Sequence, residues 1–358
     1  MRKQIVTLIV VLAVLLGGTL SALAAADLDA ALAYLKTQQN DDGGFGSGFS
    51  PDSAVGSTSD AVLAIVAAGG DPAAFDRDGN TPLTYLAANA ASTSSAGDLA
   101  KLILAVIAAG ENPREFGGTD SVAKLESLIG DDGKIGGEMD TFFNHLLAVL
   151  ALSSARRPIP AASVEYIKAA QQENGSWAWD GTAETAGDTN TTAFALQALI
   201  AAGEDPGSAA VTKALDYYKS IQNDDGGWPY QNPSDFGTET DANSTAVTVQ
   251  ALLAAGIDPT TWTVAEGKTP IAALEALQNE SGAFAWKASV PDDNLLATVQ
   301  ALPALAGKAF PFATMDVGEP AAPATMPQTG GPVADPGIWL LLGGMALAGG
   351  GLIVRRRK

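Results

Sequence analysis

Apolar residues recur along the middle of the chain in two alternating patterns. In one, they mark a single helical stripe: Val211, Ala214, Leu215, Tyr218 and Ile221 fall at three- and four-residue spacing, while Lys213, Asp216 and Lys219 take the opposite side. Such a helix has one face for a core and one for water. In the other, as over residues 193–202 or 62–68, apolar or small side chains fill nearly every position, which suits a helix buried all round. Four of these apolar runs end on one stop signal: Ala67-Ala-Gly-Gly-Asp71-Pro72, Ala108-Ala-Gly-Glu-Asn112-Pro113, Ala201-Ala-Gly-Glu-Asp205-Pro206 and Ala254-Ala-Gly-Ile-Asp258-Pro259. Gly past the last turn supplies a left-handed residue, and Pro cannot continue the helix.

The apolar helices also resemble one another. Asn190-Thr-Thr-Ala-Phe-Ala-Leu-Gln197, Asn243-Ser-Thr-Ala-Val-Thr-Val-Gln250 and Asp293-Asn-Leu-Leu-Ala-Thr-Val-Gln300 align without gaps. The loop that leads into each reads Gln, then Gly, then an aromatic: Gln39 to Phe45, Gln172 to Trp177, Gln222 to Trp228 and Gln278 to Phe284. With weaker copies over 79–116 and 119–158 the chain holds six units of about 40 to 60 residues, hence twelve helices. Six amphipathic helices outside and six apolar ones inside are most economically closed as an all-α ring, an (α/α)6 toroid over residues 27–310. An open arc would leave apolar inner helices uncovered at both ends, and the short connections disfavour a bundle.

The Gln-to-aromatic loops resemble the QW repeats of squalene and terpene cyclases and of the related prenyltransferase toroids. The resemblance covers about residues 28–308. It implies that Gln39, Phe45, Gln172, Trp177, Gln222, Trp228, Gln278 and Phe284 are structural, the aromatic stacking on the glutamine and tying neighbouring helices together. The Ala-Ala-Gly-x-Asp-Pro helix ends, followed by Phe75 and by residues 81–86, are similar to the cobalamin-carrying toroids. The small C-terminal β-domain with which those carriers close over their ligand has no counterpart in the sequence.

The two ends add a topology. Met1-Arg2-Lys3, an apolar run from Ile5 to Leu16 and small residues over 21–26 read as a secretory signal peptide, residues 1–26. Residues 311–336 read as a Pro/Ala-rich linker, 337–354 as an apolar run able to span a bilayer, and 355–358 as a basic tail that stays inside. Before the run lies Met326-Pro327-Gln328-Thr329-Gly330, which resembles the Leu-Pro-x-Thr-Gly sorting signal, with Met in place of Leu. That resemblance implies sortase cleavage after Thr329 and attachment to the cell wall; a plain single-pass membrane anchor is the alternative. Either way the toroid is expected outside the cell, anchored at its surface.

Composition then removes chemistry. With no Cys, disulfides, thiolate metal sites and thiol nucleophiles are excluded. Without the two targeting segments 14 Lys or Arg face 39 Asp or Glu, which argues against a nucleic-acid partner. The zinc ligands of prenyltransferases are missing, the one histidine being His145, and the cyclases' Asp-x-Asp-Asp motif is absent. A cavity without these catalytic sets leaves a binding module for a small molecule or a glycan, with a cobalamin-like ligand or Ca²⁺ within its range. A terpenoid-processing or glycan-cleaving enzyme on the same scaffold is the alternative.

In a closed ring the inner helices run parallel, so their N-termini share one mouth and their dipoles add there. The candidate ligand residues gather at that end: Asp188, Asn190, Asp241, Asn243 and Asp293, with Gln197, Gln250 and Gln300 two turns further along. The second aromatics of the loops, Trp179, Tyr230 and Trp286, join them, as does His145 on an apolar helix. No metal ligand set is identified. If the anchor reading holds, Thr329→Ala moves the protein from the cell-wall to the membrane fraction; fractionation and immunoblotting check this, and an unchanged distribution favours the plain anchor.

Overall fold

The structure, a computed structural model, describes residues 26–319. The signal peptide apart from Ala26, the Met326–Gly330 motif, the 337–354 run and the basic tail lie outside the described residues. Among those described, no helix is long and apolar enough to cross a membrane.

Helix starts are encoded locally. Ten of the twelve α-helices have an Asp, Asn, Ser or Thr whose side chain accepts an amide of the first turn. In chain order they are α1 Leu28–Gln38, α2 Val55–Ala67, α3 Pro82–Asn89, α4 Ala96–Ala108, α5 Ser121–Glu126 and α6 Phe142–Ser154. They continue with α7 Ala161–Ala169, α8 Thr189–Ala201, α9 Ala209–Ile221, α10 Ala242–Ala254, α11 Pro270–Glu275 and α12 Leu295–Leu305. Odd-numbered helices are the amphipathic ones and even-numbered helices the buried ones; every residue of α10 from Ala242 to Leu252 is buried. Each even helix packs on the next, and α12 packs on α2, so the inner ring closes. The described residues thus form a mostly helical α/α toroid with twelve α-helices. One departure from all-α is a hairpin, β1 Phe284–Lys287 with β2 Val290–Asn294, inserted before α12.

The repeat loops show how units are joined. Gln39 donates to the carbonyls of Gly43 and, in the connection to the next unit, Phe75, at 3.0 and 2.8 Å. Gln278 does the same with Gly282 and Asp27 at 3.0 and 2.8 Å, and its oxygen accepts the Asp27 amide at 2.7 Å. The last unit therefore clamps the cap of the first helix with the bonds used between consecutive units. The aromatics Phe45, Trp177, Trp228 and Phe284 are fully buried, and each donates its amide to a threonine of the following inner helix, Thr58, Thr192, Thr245 or Thr298.

In the fourth unit the clamp is Gln171, not Gln172: Gln171 reaches Gly175 and Ala210 at 3.0 and 2.8 Å. The turn geometry demands a glutamine four residues before the glycine. Gln172 instead bonds the carbonyls of Thr182 and Thr185, the place that Asn40, Asn223 and Asn279 hold elsewhere. The weaker units substitute other groups. Lys124 donates to Ala90, Ala91 and Thr93, bridging units two and three. In unit three Ile129 pairs with Ile135, and His145 stands where units one, four, five and six have threonine.

Residues 308–319, expected in part as linker, belong to the toroid. They cross the C-terminal end of the inner ring: Ser154 donates to Ala313 and takes the Met315 amide, Arg114 and Arg157 donate to the Gly318 carbonyl, and Arg157 pairs with Glu126 and Glu319. Phe310 and Phe312 pack into the core there.

Ring closure makes a stability prediction. Gly282 has φ of +87°, and a Cβ on it would stand 2.3 Å from the Ala30 carbonyl oxygen across the closing seam. Gly256 has φ of +75° with nothing within 4 Å. Thermal unfolding should show Gly256→Ala costing about 1–2 kcal/mol, the left-handed strain alone, and Gly282→Ala costing clearly more; equal losses would contradict the clamp.

Candidate functional site

On five inner helices the residue two positions after the one that takes the repeat amide lines a central lumen, namely Asp60, Leu147, Phe194, Val247 and Gln300. All six inner helices contribute to one cavity of about 120 Å³, lined mainly by Leu63, Leu104, Leu147, Phe194, Val247, Val299 and Phe143. Its polar groups lie on opposite sides. Asp60 and Lys101, on α2 and α4, pair at 2.6 Å, and burial pushes the Asp60 carboxyl up against the downward pull of Lys101. On the other side Gln250 is 1% exposed, its nitrogen directed to the Gln300 carbonyl at 3.5 Å and its oxygen without a protein partner. The far end is stopped by Phe310, whose amide donates to Gln197 at 2.8 Å and whose ring stacks on Phe194.

Above this lumen, at the inner-helix N-termini, opens a cleft of about 440 Å³. Leu296 and Gln300 line both spaces, so the cleft sits directly over the lumen. Its floor is amide-rich: Asn190 and Asn243 occupy matching places in the first turns of α8 and α10, and Asn243 donates to the Gln300 oxygen at 2.7 Å. Its walls are aromatic. Tyr230 meets Phe236 edge-on with centroids 6.0 Å apart, Trp286 stands opposite on β1, and Phe49 arrives from the first unit. The Lys287 ammonium lies 4.1 Å over the Trp286 ring and donates to the Phe236 carbonyl, while the Asp241 and Lys287 backbones pair.

Of the sequence-predicted residues, Tyr230, Trp286, Asn190, Asp241, Asn243 and Gln300 come together in this cleft. The others do not. Trp179 is half exposed and outside it, on the loop of the fourth unit. Gln197 is spent on Phe310, and Gln250 faces the lumen. Asp293 lies on β2, accepting from Asn279 and Ser281: the hairpin holds this segment extended, so α12 begins later and the gap-free alignment slips by three residues. Thr298, not the position inferred from Gln300, matches Thr192 and Thr245, and Gln300 corresponds to Phe194 and Val247. His145 has both ring nitrogens engaged, Nδ1 accepting from Ile135 and Nε2 facing the Ser163 carbonyl, each at 3.1 Å; burial lowers it to about 4, so it is a neutral structural group.

Phe49, Phe236 and the Asp60–Lys101 pair were missed. The aromatics sit in irregular loops where no periodicity marks them. The ion pair did leave a signal, Asp60 and Lys101 standing within the inner helices α2 and α4. Among the described residues no three His, Cys, Asp or Glu side chains are grouped to hold a metal ion.

Residues 136–291 match the squalene-hopene cyclase C-terminal domain family, and residues 3–97 match the prenyltransferase alpha-alpha toroid domain family. No curated protein matches the chain. Among solved structures, a type II terpene cyclase from Scytonema is 15% identical with a TM-score of 0.54, covering 78% of this chain and 96% of that one. A protein from Actinoplanes is also 15% identical with a TM-score of 0.55, over 78% and 98% of the two chains. An unsaturated glucuronyl hydrolase specific for heparin has the same identity and TM-score, over 78% and 94%. At such identity the likeness is one of fold: this chain has a terpene cyclase-like toroid scaffold.

The two acids at the mouth are helix caps. Asp188 accepts the amide and hydroxyl of Thr191, each at 2.7 Å, and Asp241 those of Ser244 at 2.7 and 3.0 Å. Burial raises both carboxyls from 3.8 to about 6, the cap bonds opposing it. The unfolded chain releases these protons near the lower value, so between the two the folded state holds more protons, and stability falls as pH rises. Asn caps as well as Asp. Chemical denaturation should therefore show Asp188→Asn gaining on the wild type by about 3 kcal/mol between about pH 4 and pH 7; a constant difference would mean that the carboxyl titrates normally.

Proposed function

We propose that the chain is an exported, surface-anchored binding module that holds a small molecule or glycan at the mouth of its toroid. The observation that carries this reading is the convergence of Tyr230, Phe236, Trp286 and Phe49 with the amides of Asn190, Asn243 and Gln300 around one open cleft. Apolar platforms with a few placed polar groups, in a space of several hundred Å³, are the composition of ligand sites. Export and anchoring rest on the signal-peptide and sorting-motif readings.

Binding is favoured over terpenoid cyclisation by the sequence, which lacks the Asp-x-Asp-Asp motif of the cyclases, and by the lumen wall, where the one lining carboxylate, Asp60, is paired with Lys101. Glycan cleavage is the second reading, and Asp241 favours it: the residue lines the cleft with a carboxyl raised to about 6, in the range useful to a general acid. Both its oxygens, however, are taken by the α10 cap.

Native mass spectrometry of the purified protein should show a co-purifying ligand. Trp286→Ala and Tyr230→Ala should each weaken its binding by tenfold or more, on the order expected for an aromatic anchor, with helicity and melting temperature nearly unchanged. Trp228→Ala, by contrast, removes a fully buried ring and should cost about 3–5 kcal/mol of stability. Unfolding of the Trp286 and Tyr230 variants would make those rings core, and release of shortened oligosaccharides would favour cleavage.

A further inference from the structure

The large apolar side chains exposed on the described surface are confined to one end. Phe49, Met139, Trp179, Phe236 and Val290 all stand on loops leading from an outer helix into an inner one, at the mouth; Phe49 is 91% and Met139 95% exposed. Single exposed apolar residues are ordinary anywhere on a surface. Five around one opening, on five of its six loops, mark a face that meets something.

Charge follows the same axis. The six mouth loops carry 19 Asp or Glu against Lys134 and Lys287, whereas the six loops at the other end, counted to Glu319, carry 12 against six Lys or Arg. Field lines from such an arrangement concentrate at the mouth, repelling polyanions and drawing cations. Inside the cleft the chain already seats an ammonium, that of Lys287, between the Trp286 ring and the Phe236 carbonyl. The Oδ1 of Asn190, in the cleft wall, is buried without a protein partner and can accept one donor more.

We propose that the ligand of this mouth is a glycan bearing free amino groups, an inference that rests on the reading of the mouth as a binding site. Flat aromatic walls take the C–H faces of pyranose rings, amides take their hydroxyls, and the surrounding carboxylates hold the ammonium groups. Uronate or phosphate-bearing polymers meet repulsion at every loop but one, the uncharged loop before α4.

The test is calorimetry on the full chain in detergent with four probes of equal length: a glucosamine oligomer, its N-acetylated form, an oligouronate and an oligolysine. The glucosamine oligomer should bind tightest, on the order of tenfold over the N-acetylated form, and high salt should erase that margin. Asp235→Asn with Asp292→Asn, two exposed mouth acids beside Phe236 and on β2, should reduce the margin while leaving N-acetylated affinity unchanged. Equal affinity for the two sugars at all salt concentrations, or preference for the uronate, overturns the amine requirement and leaves the mouth reading intact. Oligolysine binding as tight as glucosamine and indifferent to Trp286→Ala overturns the glycan assignment. Binding of no oligosaccharide overturns both.

Discussion

An inner helix with apolar side chains on every face has to be covered on every side, and that demand organises this protein. One neighbour covers one flank; only a ring covers all six helices at once. Closure depends on the contact between units repeating at the seam, and it does: Gln278 holds Asp27 as Gln39 holds the Phe75 carbonyl. The glycine four residues on lets the loop backbone lie against the start of the next outer helix, a Cβ at Gly43, Gly175, Gly226 or Gly282 having no room there. Where the glutamine is lost, Lys124 supplies the donor instead. The contact is conserved in physics rather than in residue type.

A closed ring of parallel inner helices separates two ends with different tasks. At the C-terminal end residues 308–319 cross the opening, and Phe310 ends the lumen, while Arg114, Arg156 and Arg157 fasten the strap. Half of the six cations in that end's loops are used in this way. At the N-terminal end the connections are longer, and they hold the exposed aromatics, 19 acids of which only Asp132 is in an ion pair among the described residues, and the cleft. The scaffold is thereby stabilised at one end and left free to vary at the other.

Inside, the lumen keeps a charge pair that an apolar core has no need of. Asp60 and Lys101 sit on neighbouring helices facing Phe143 and Phe194, with Gln250 and Gln300 across from them. Removing either charge would strand the other in a low-dielectric wall, so the two persist together. Buried acids at the mouth, Asp188 and Asp241, are tolerated for a different reason, since each satisfies two donors of its own helix.

Six units, twelve helices, their inner and outer order and the structural aromatics were legible in the sequence, because period, capping residues and stop signals are local and each is repeated several times. Trp177 and Trp228 were read as structural through the resemblance of their loops to the QW repeats, and both are fully buried. The glutamine of the fourth unit could not be settled so simply, since Gln171 and Gln172 adjoin and only the turn decides which one reaches Gly175. The cleft was half legible: Tyr230 and Trp286 follow a repeat, but Phe49 and Phe236 reach it from irregular loops far apart in the chain. Asp293 was misplaced because pairing of β2 with β1 overrides the helical register that the sequence suggests. His145 became structural only once Ile135 and Ser163 were beside it. Local sequence thus determined which segments fold and which way each faces, whereas ring closure alone determined which loops meet, because only then do residues from the first and last units share one wall.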